Sequence, residues 1–247
     1  MLNILIPMVG PNRFDAEEFP YPKPLIEVNG RALIEYVVDC LLKIDGNRRF
    51  IFVINASDRS VYHLDKVLKL IGGEDAVVIE SSGQTKGAAC TALLAIEQID
   101  NAQPLLISSS DHYFSCHLGE VVSRLRTQDC DAGVVCFSAV HPKWSFVRLE
   151  EDRVVEAAEK RPLSKHAIAG LYYFRHGRDF VQACMRMIEK RVVVGTEELY
   201  YLAPTLNELI LEQKVVRAIH IDGSTYHNIY SPQKLREFEE LVRGNAK

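Results

Sequence analysis

The sequence predicts an α/β fold, a mixed and mostly parallel sheet flanked by helices, with an α+β extension toward the C-terminus. Three observations carry this. Short apolar runs alternate with helix-periodic segments as β-α-β-α-β-α-β up to residue 139. From about residue 140 the pattern changes to paired strands. A chain of 247 residues, 47% hydrophobic and 25% charged, can bury one core without disulfide or metal staples. The expectation is a single unit, 1–247, with halves at 1–140 and 141–247.

Leu2 to Met8 is a short apolar run, read as a buried strand. The loop from Gly10 to Pro24 carries four prolines (Pro11, Pro20, Pro22, Pro24), which exclude a helix by removing donors and restraining the residues before them. Arg31 to Ile44 places apolar residues at 33, 34, 37, 38, 41 and 42, a helical period closed by Gly46. Phe50–Ile54 reads as a strand, Ser60–Ile71 as a helix stopped by Gly72-Gly73, and Ala76–Ile79 as a strand. A loop over Glu80–Lys86 leads to a helix expected over Gly87–Ile99, then a strand over Pro104–Ser108. Leu118–Leu125 reads as a helix and Ala132–Ala139 as a strand. Phe146–Leu149 and Val154–Ala157 flank Glu151-Asp152 as a hairpin, and Ala167–Phe174 follows as a further strand. The remainder reads as helices over Arg178–Glu189, Tyr201–Glu212 and Ser231–Arg243, with a strand over Val215–Ile221.

The net charge of −4 argues against a nucleic-acid partner, which would call for a basic face. It leaves phosphate ligands open, because local groups hold those. Six cysteines stand singly with no C-x-x-C, so reduced thiols in a cytoplasmic protein are expected. The opening MLNILIPMVG lacks the basic and cleavage regions of a signal peptide. No apolar run reaches the roughly 18 residues of a membrane span, so no membrane partner is expected. G-x-S-x-G, Walker, H-E-x-x-H and G-x-G-x-x-G motifs are all absent.

In an open sheet, ligands bind beyond the carboxyl ends of parallel strands, and three loops leave such ends. The first holds Gly10, Arg13 and Lys23; these suit a polyphosphate, or a proline-stiffened surface loop with solvated charges. The second, Ser81 to Ala89, includes Gln84, Thr85 and Gly87, small enough for a ring or phosphate to approach the backbone, or for close helix–sheet packing. The third ends in Ser109-Ser110-Asp111-His112, where Asp111 suits a magnesium ligand or a turn cap. His112 and His117 do not share a helical face. Later, Glu159-Lys160 closes a hairpin strand, and Trp144, the one tryptophan, suits either stacking on a ligand or the core.

Taken in order, ILIPMVGPNRF, PKPLIEVNGRALIEYVV, QTKGAACTALLA, PLLISSSDHYF, VVEAAEKRP, AIAGLYYF and YLAPTLNELI resemble the sugar-nucleotidyltransferase family. These are nucleotide-sugar pyrophosphorylases, including glucose-1-phosphate thymidylyltransferase-like members of capsule and surface-polysaccharide pathways. The resemblance implies a Rossmann-like nucleotide-diphospho-sugar transferase fold. Residues 1–140 would bind the nucleotide and 141–247 the acceptor. It implies a Mg²⁺-dependent transfer from a nucleoside triphosphate to a sugar 1-phosphate or similar phosphorylated acceptor, releasing pyrophosphate. Arg13, Lys23 and Asp111 would be catalytic; Gly10, Gln84, Thr85 and Gly87 would bind the nucleotide. Trp144, Glu159, Lys160 and Gly170 would meet the acceptor, and Asp111 and Asn228 the metal. Oligomeric state stays open, a homodimer included.

Two departures stand out. The family's G-G-x-G-[ST]-R loop is replaced by Val9-Gly10-Pro11-Asn12-Arg13, and Pro11 has no N–H to give a phosphate. Asn228 stands where members with a second metal carboxylate carry it, with Asp222 as a nearby substitute. These keep a non-catalytic nucleotide-binding homologue open as an alternative. A glycosyltransferase of related fold is a further one, although Asp111-His112-Tyr113 lacks the second carboxylate of D-x-D.

Overall fold

The protein is described by a computed structural model over residues 1–10 and 14–244. β1 (Leu2–Pro7) is followed by the proline-rich loop, which ends in a 3-10 turn at Lys23–Leu25, and by a small hairpin of β2 (Glu27–Val28) and β3 (Arg31–Ala32). Then come α1 (Leu33–Leu42), β4 (Arg48–Asn55), α2 (Ala56–Tyr62), α3 (Leu64–Gly72), β5 (Val77–Ser81), α4 (Ala88–Leu93), α5 (Ile96–Ile99) and β6 (Leu105–Ile107). β7 (His112–Phe114), α6 (Leu118–Thr127), β8 (Ala132–Ser138), β9 (Ser145–Glu150), β10 (Arg153–Glu159) and β11 (His166–Phe174) follow. α7 (Gly177–Glu189), α8 (Thr205–Leu211), β12 (Val216–His220), β13 (Tyr226–Asn228) and α9 (Pro232–Gly244) complete the order.

The main sheet has nine strands in the order β5-β4-β1-β6-β11-β8-β12-β10-β9. β5, β4, β1 and β6 pair in parallel, as do β8 and β12. β11 runs antiparallel to both β6 and β8, and β10 antiparallel to β12 and β9. Only β10 and β11 therefore oppose the common direction. Alternation along each strand sorts side chains into two cores. Ile4, Ile6, Phe50 and Phe52 pack on α1 and α3 on one face; Leu5, Ile51 and Val53 pack with the α4 and α7 side on the other. Both faces are covered, which is why these strands read as continuous apolar runs.

A third apolar cluster joins Phe14, Ile26 and Val28 to Leu235 and Phe238 of α9. The closing helix thus anchors the loop that carries Lys23. A two-stranded sheet pairs β13 with β7 and sets Asn228 opposite His112. Among the described residues no helix is long and apolar enough to cross a membrane. All six cysteines are free, and burial pushes the Cys40 thiol up to about 11.

Three expected helices differ. The helix over 60–71 is two, because His63 turns into the left-handed region (φ 53°). The one over 87–99 breaks where the Leu94 and Ala95 amides donate to Thr91 and Ala92, tightening the last turn. The helix expected from Tyr201 starts at Thr205, since Pro204 disfavours helical backbone in its predecessor.

Candidate active site

The loops after β1, β5 and β6 open into one cleft of about 1080 Å³, which the ends of β9, β10 and β13 close from the other half. Asp111 lies at its floor, 6% exposed. Lys23 Nζ donates to Asp111 Oδ2 at 2.7 Å across 88 residues of sequence. Ser109 Oγ donates to Asp111 Oδ1, and His112 Nε2 lies 3.6 Å from that oxygen. Burial opposes the Asp111 charge, but the Lys23 ammonium, the nearby His112 and the two donated bonds outweigh it, so the carboxyl is held well below its usual range. Burial pushes the His112 imidazole down, against the pull of Asp111. The floor thus holds an ionised carboxylate and a neutral imidazole at pH 7.

Lys23 is brought there by its loop. Pro22 and Pro24 bracket it, the Leu25 amide donates to the Pro22 carbonyl at 2.8 Å, and Tyr62 Oη donates to Pro20 O at 3.0 Å. Gln84, Thr85 and Gly87 line the cleft where β5 passes to α4. The Thr85 and Thr91 hydroxyls lie 2.5 Å apart and each lies 3.2 Å from the Gly87 carbonyl oxygen, so one hydroxyl donates to the other and the second donates to the carbonyl. Gly87 (φ +106°) also has a packing role: a Cβ there would sit 2.3 Å from the Tyr200 carbonyl oxygen. Tyr200 is clipped on by bonds to Lys86 O and from the Ala89 amide, at 2.8 and 3.1 Å. The chain before α8 is thereby fastened to the loop before α4.

Gly10, Lys23, Gln84, Thr85, Gly87, Asp111, Trp144, Lys160 and Asn228 all line this one cleft. Arg13 lies outside the described residues. Glu159 and Gly170 are not among the residues that line the cleft. Gly170 (φ +68°) lies beneath His112, whose Cε1 is 2.1 Å from where a Cβ would be. The Glu159 carboxylate accepts from Ser145 Oγ, and burial pushes it up despite that bond and the Lys160 charge. Asp222 caps a 3-10 turn by accepting from the Ser224 amide at 2.9 Å and is not among the residues that line the cleft.

Asp111 and Asn228 are neighbours, since the Ile229 amide donates to the Asp111 carbonyl at 2.8 Å. Asn228 Oδ1 is buried and accepts no hydrogen bond. Both residues line the cleft, and a carboxylate and an amide oxygen unpartnered among the described residues are hard oxygen donors of the kind a divalent cation takes. Among the described residues no three His, Cys, Asp or Glu converge as a metal cage. A cation here would have its shell completed by ligand oxygens and water.

His112, set aside in the sequence as a metal partner of His117, lines the cleft, as do Lys143, Tyr201 and Tyr230, which sequence reasoning did not single out. Only adjacency to Trp144 could have pointed to Lys143. The tyrosines carry no local signal.

A family model, described as nucleotidyl transferase, matches residues 19–191. The UTP–glucose-1-phosphate uridylyltransferase AglF of Haloferax volcanii is 23% identical over 211 residues, 82% of this chain and 80% of that protein. The nucleoside-diphosphate-sugar pyrophosphorylase from Vibrio cholerae RC9 superposes with a TM-score of 0.78 at 21% identity, covering 97% of this chain and 100% of the other. The inositol-1-phosphate CTP transferase from T. maritima gives 0.73 at 17% identity, covering 98% and 94%. The two structures establish the shared fold. With most of the chain matched by the family model, this protein belongs to the nucleotidyl transferase family.

Proposed function

We propose that this chain joins a nucleoside triphosphate to a sugar 1-phosphate or similar phosphorylated acceptor, giving a nucleoside-diphosphate conjugate and pyrophosphate. The observation that carries the reading is the pair of half-buried Lys23 and buried Asp111 at the floor of a cleft shared by residues 1–140 and 141–247. The relatives, named for uridylyl and cytidylyl transfer to 1-phosphates, support it.

An acceptor phosphate is already ionised near pH 7, so no strong base is required. One of its oxygens attacks the α-phosphorus; the new P–O bond forms as the α–β bridging bond breaks, and the electron pair leaves on pyrophosphate. Lys23, with Arg13, neutralises the triphosphate charge that grows on the leaving group. Gly10, Gln84, Thr85 and Gly87 receive the nucleotide; Trp144 and Lys160 receive the acceptor. Asp111 and Asn228 would hold Mg²⁺, which when bound supplies positive charge that polarises the phosphoryl oxygens. The resemblance to surface-polysaccharide enzymes supports a capsule or surface-polysaccharide precursor made in the cytoplasm.

The test is pyrophosphate release with Mg²⁺ from CTP, UTP, dTTP, GTP and ATP, each against pooled sugar 1-phosphates, beside Asp111→Asn. Signal with one nucleotide is expected, falling about 10³-fold in the variant. Undiminished turnover in the variant or in excess EDTA would overturn the reading. The neutral amide of Asn228 favours one other: a nucleotide-binding homologue that is stabilised by nucleotide yet releases no pyrophosphate with any acceptor.

A further inference from the structure

The acceptor end of the cleft carries two ammonium groups that no carboxylate in the described residues approaches within ion-pair distance. Lys143 Nζ sits 4.5 Å from the Trp144 ring centroid and 4.7 Å from that of Tyr230, with Tyr230 Oη at 3.2 Å. Lys160 Nζ sits 4.7 Å from the Tyr201 ring centroid and donates to Tyr201 Oη at 2.7 Å. The Lys160 amide donates to the Trp144 carbonyl at 3.1 Å, so the two side chains spring from adjacent positions and diverge. Lys143 turns to Tyr230, the residue after Ile229, whose amide donates to the Asp111 carbonyl. Lys160 turns to Tyr201, on the segment clipped to Lys86.

Aromatic faces hold a cation in place without neutralising it. Both tyrosine hydroxyls at this end are engaged by lysines, and Glu159 is turned onto Ser145. A neutral hexose is held by groups that both accept from and donate to its hydroxyls. At this end of the wall Glu197 is the acidic side chain, and the two ammonium groups outnumber it.

We infer that the acceptor bears a second anionic group besides its reacting phosphate, one ammonium serving each, with Lys143 a specificity-determining residue. The inference rests on the nucleotidyl-transfer reading and deepens it. The second anion is a carboxylate or a second phosphate, two sources of the same chemistry.

The experiment compares binding and turnover of matched acceptors: glucose 1-phosphate, glucuronic acid 1-phosphate and glucose 1,6-bisphosphate. Binding is read by calorimetry on nucleotide-loaded protein, turnover by pyrophosphate release. At least one acidic acceptor is expected to bind about 10–100-fold more tightly than glucose 1-phosphate, the scale of one charge-assisted contact. The acid that responds identifies carboxylate or phosphate. Lys143→Met is expected to collapse that preference to within about threefold by raising KM for the acid, with KM for nucleotide unchanged; Lys143→Arg should retain it. Equal or tighter binding of glucose 1-phosphate, or a preference that survives Lys143→Met, overturns the inference while leaving the transferase reading intact. Acidic preference in binding with no pyrophosphate from any acceptor sustains the inference and breaks the transferase reading instead.

Discussion

The two ends of the cleft are built by different physics. At the Asp111 floor, charges are paired with one another: Lys23 closes on Asp111 at 2.7 Å, and Thr85, Thr91 and Tyr200 lock the neighbouring loop through its backbone. At the acceptor end, Lys143 and Lys160 rest on aromatic rings, their charge unspent. The floor sits at the ends of parallel strands in the first half; the acceptor end hangs from the β9–β10 hairpin and two tyrosines that arrive from far along the chain. The difference teaches a division of labour. On the proposed reading, groups that act on every substrate are held in place by one another, whereas groups that choose among acceptors are left available to an incoming anion.

Lys23→Met attacks the floor most directly. Turnover is expected to fall about 10³-fold with all acceptors alike, unlike the acceptor-dependent effect of Lys143→Met. The same change frees Asp111 from the ammonium that depresses its carboxyl. The acid limb of the residual pH–rate profile should therefore move to higher pH. A loss confined to one acceptor would erase the distinction between the two ends.

Gly87→Ala tests the clip between the halves. The new Cβ would meet the Tyr200 carbonyl at 2.3 Å from a backbone already at φ +106°. A cost of about 3 kcal/mol is expected, read as a Tm lower by roughly 6–12 °C. An unchanged Tm would show that the segment at Tyr200 does not depend on this seat.

The smallest effect is acid sensitivity at His112. Its folded pKa is depressed by burial, so the folded state resists protonation. That contribution to stability is complete above the ordinary histidine value of about 6.5 and is lost as pH falls from there through the lower folded value. His112→Gln should flatten this part of the stability–pH curve, measured by denaturant melts between about pH 7.5 and 5. Asp111 contributes in a separate window: its depressed carboxyl stabilises above the ordinary carboxylate range, and that is lost only as pH falls below it toward the folded value. A slope unchanged in His112→Gln would remove the neutral imidazole from the picture of the floor.

Much of this was legible along the chain. Apolar runs over Leu2–Met8, Phe50–Ile54 and Pro104–Ser108 marked the central strands because helices cover both faces and leave no polar side to alternate. Lys23 and Asp111 stood out as a cation between prolines and a carboxylate after a buried strand. The helix breaks at His63 and at Leu94–Ala95 were hidden, because periodicity reports which face is buried and not where hydrogen bonding is interrupted. β7 and β13 were hidden too, since three-residue strands stabilised by pairing across more than 100 residues carry no pattern of their own.

By itself, then, the sequence determined the alternation of elements, the family resemblance and the loops that reach the cleft, all encoded over stretches of ten or so residues by hydrophobic period and proline placement. Tertiary structure alone decided that β11 is inserted in reverse between β6 and β8, that Lys23 meets Asp111, that Gly170 lies under His112, and that Lys143 and Lys160 point to different tyrosines. The reason is physical. A charge pair or a glycine seat exists only when segments distant in the chain are packed to within a few ångströms, and which segments meet is settled by burying both faces of one sheet.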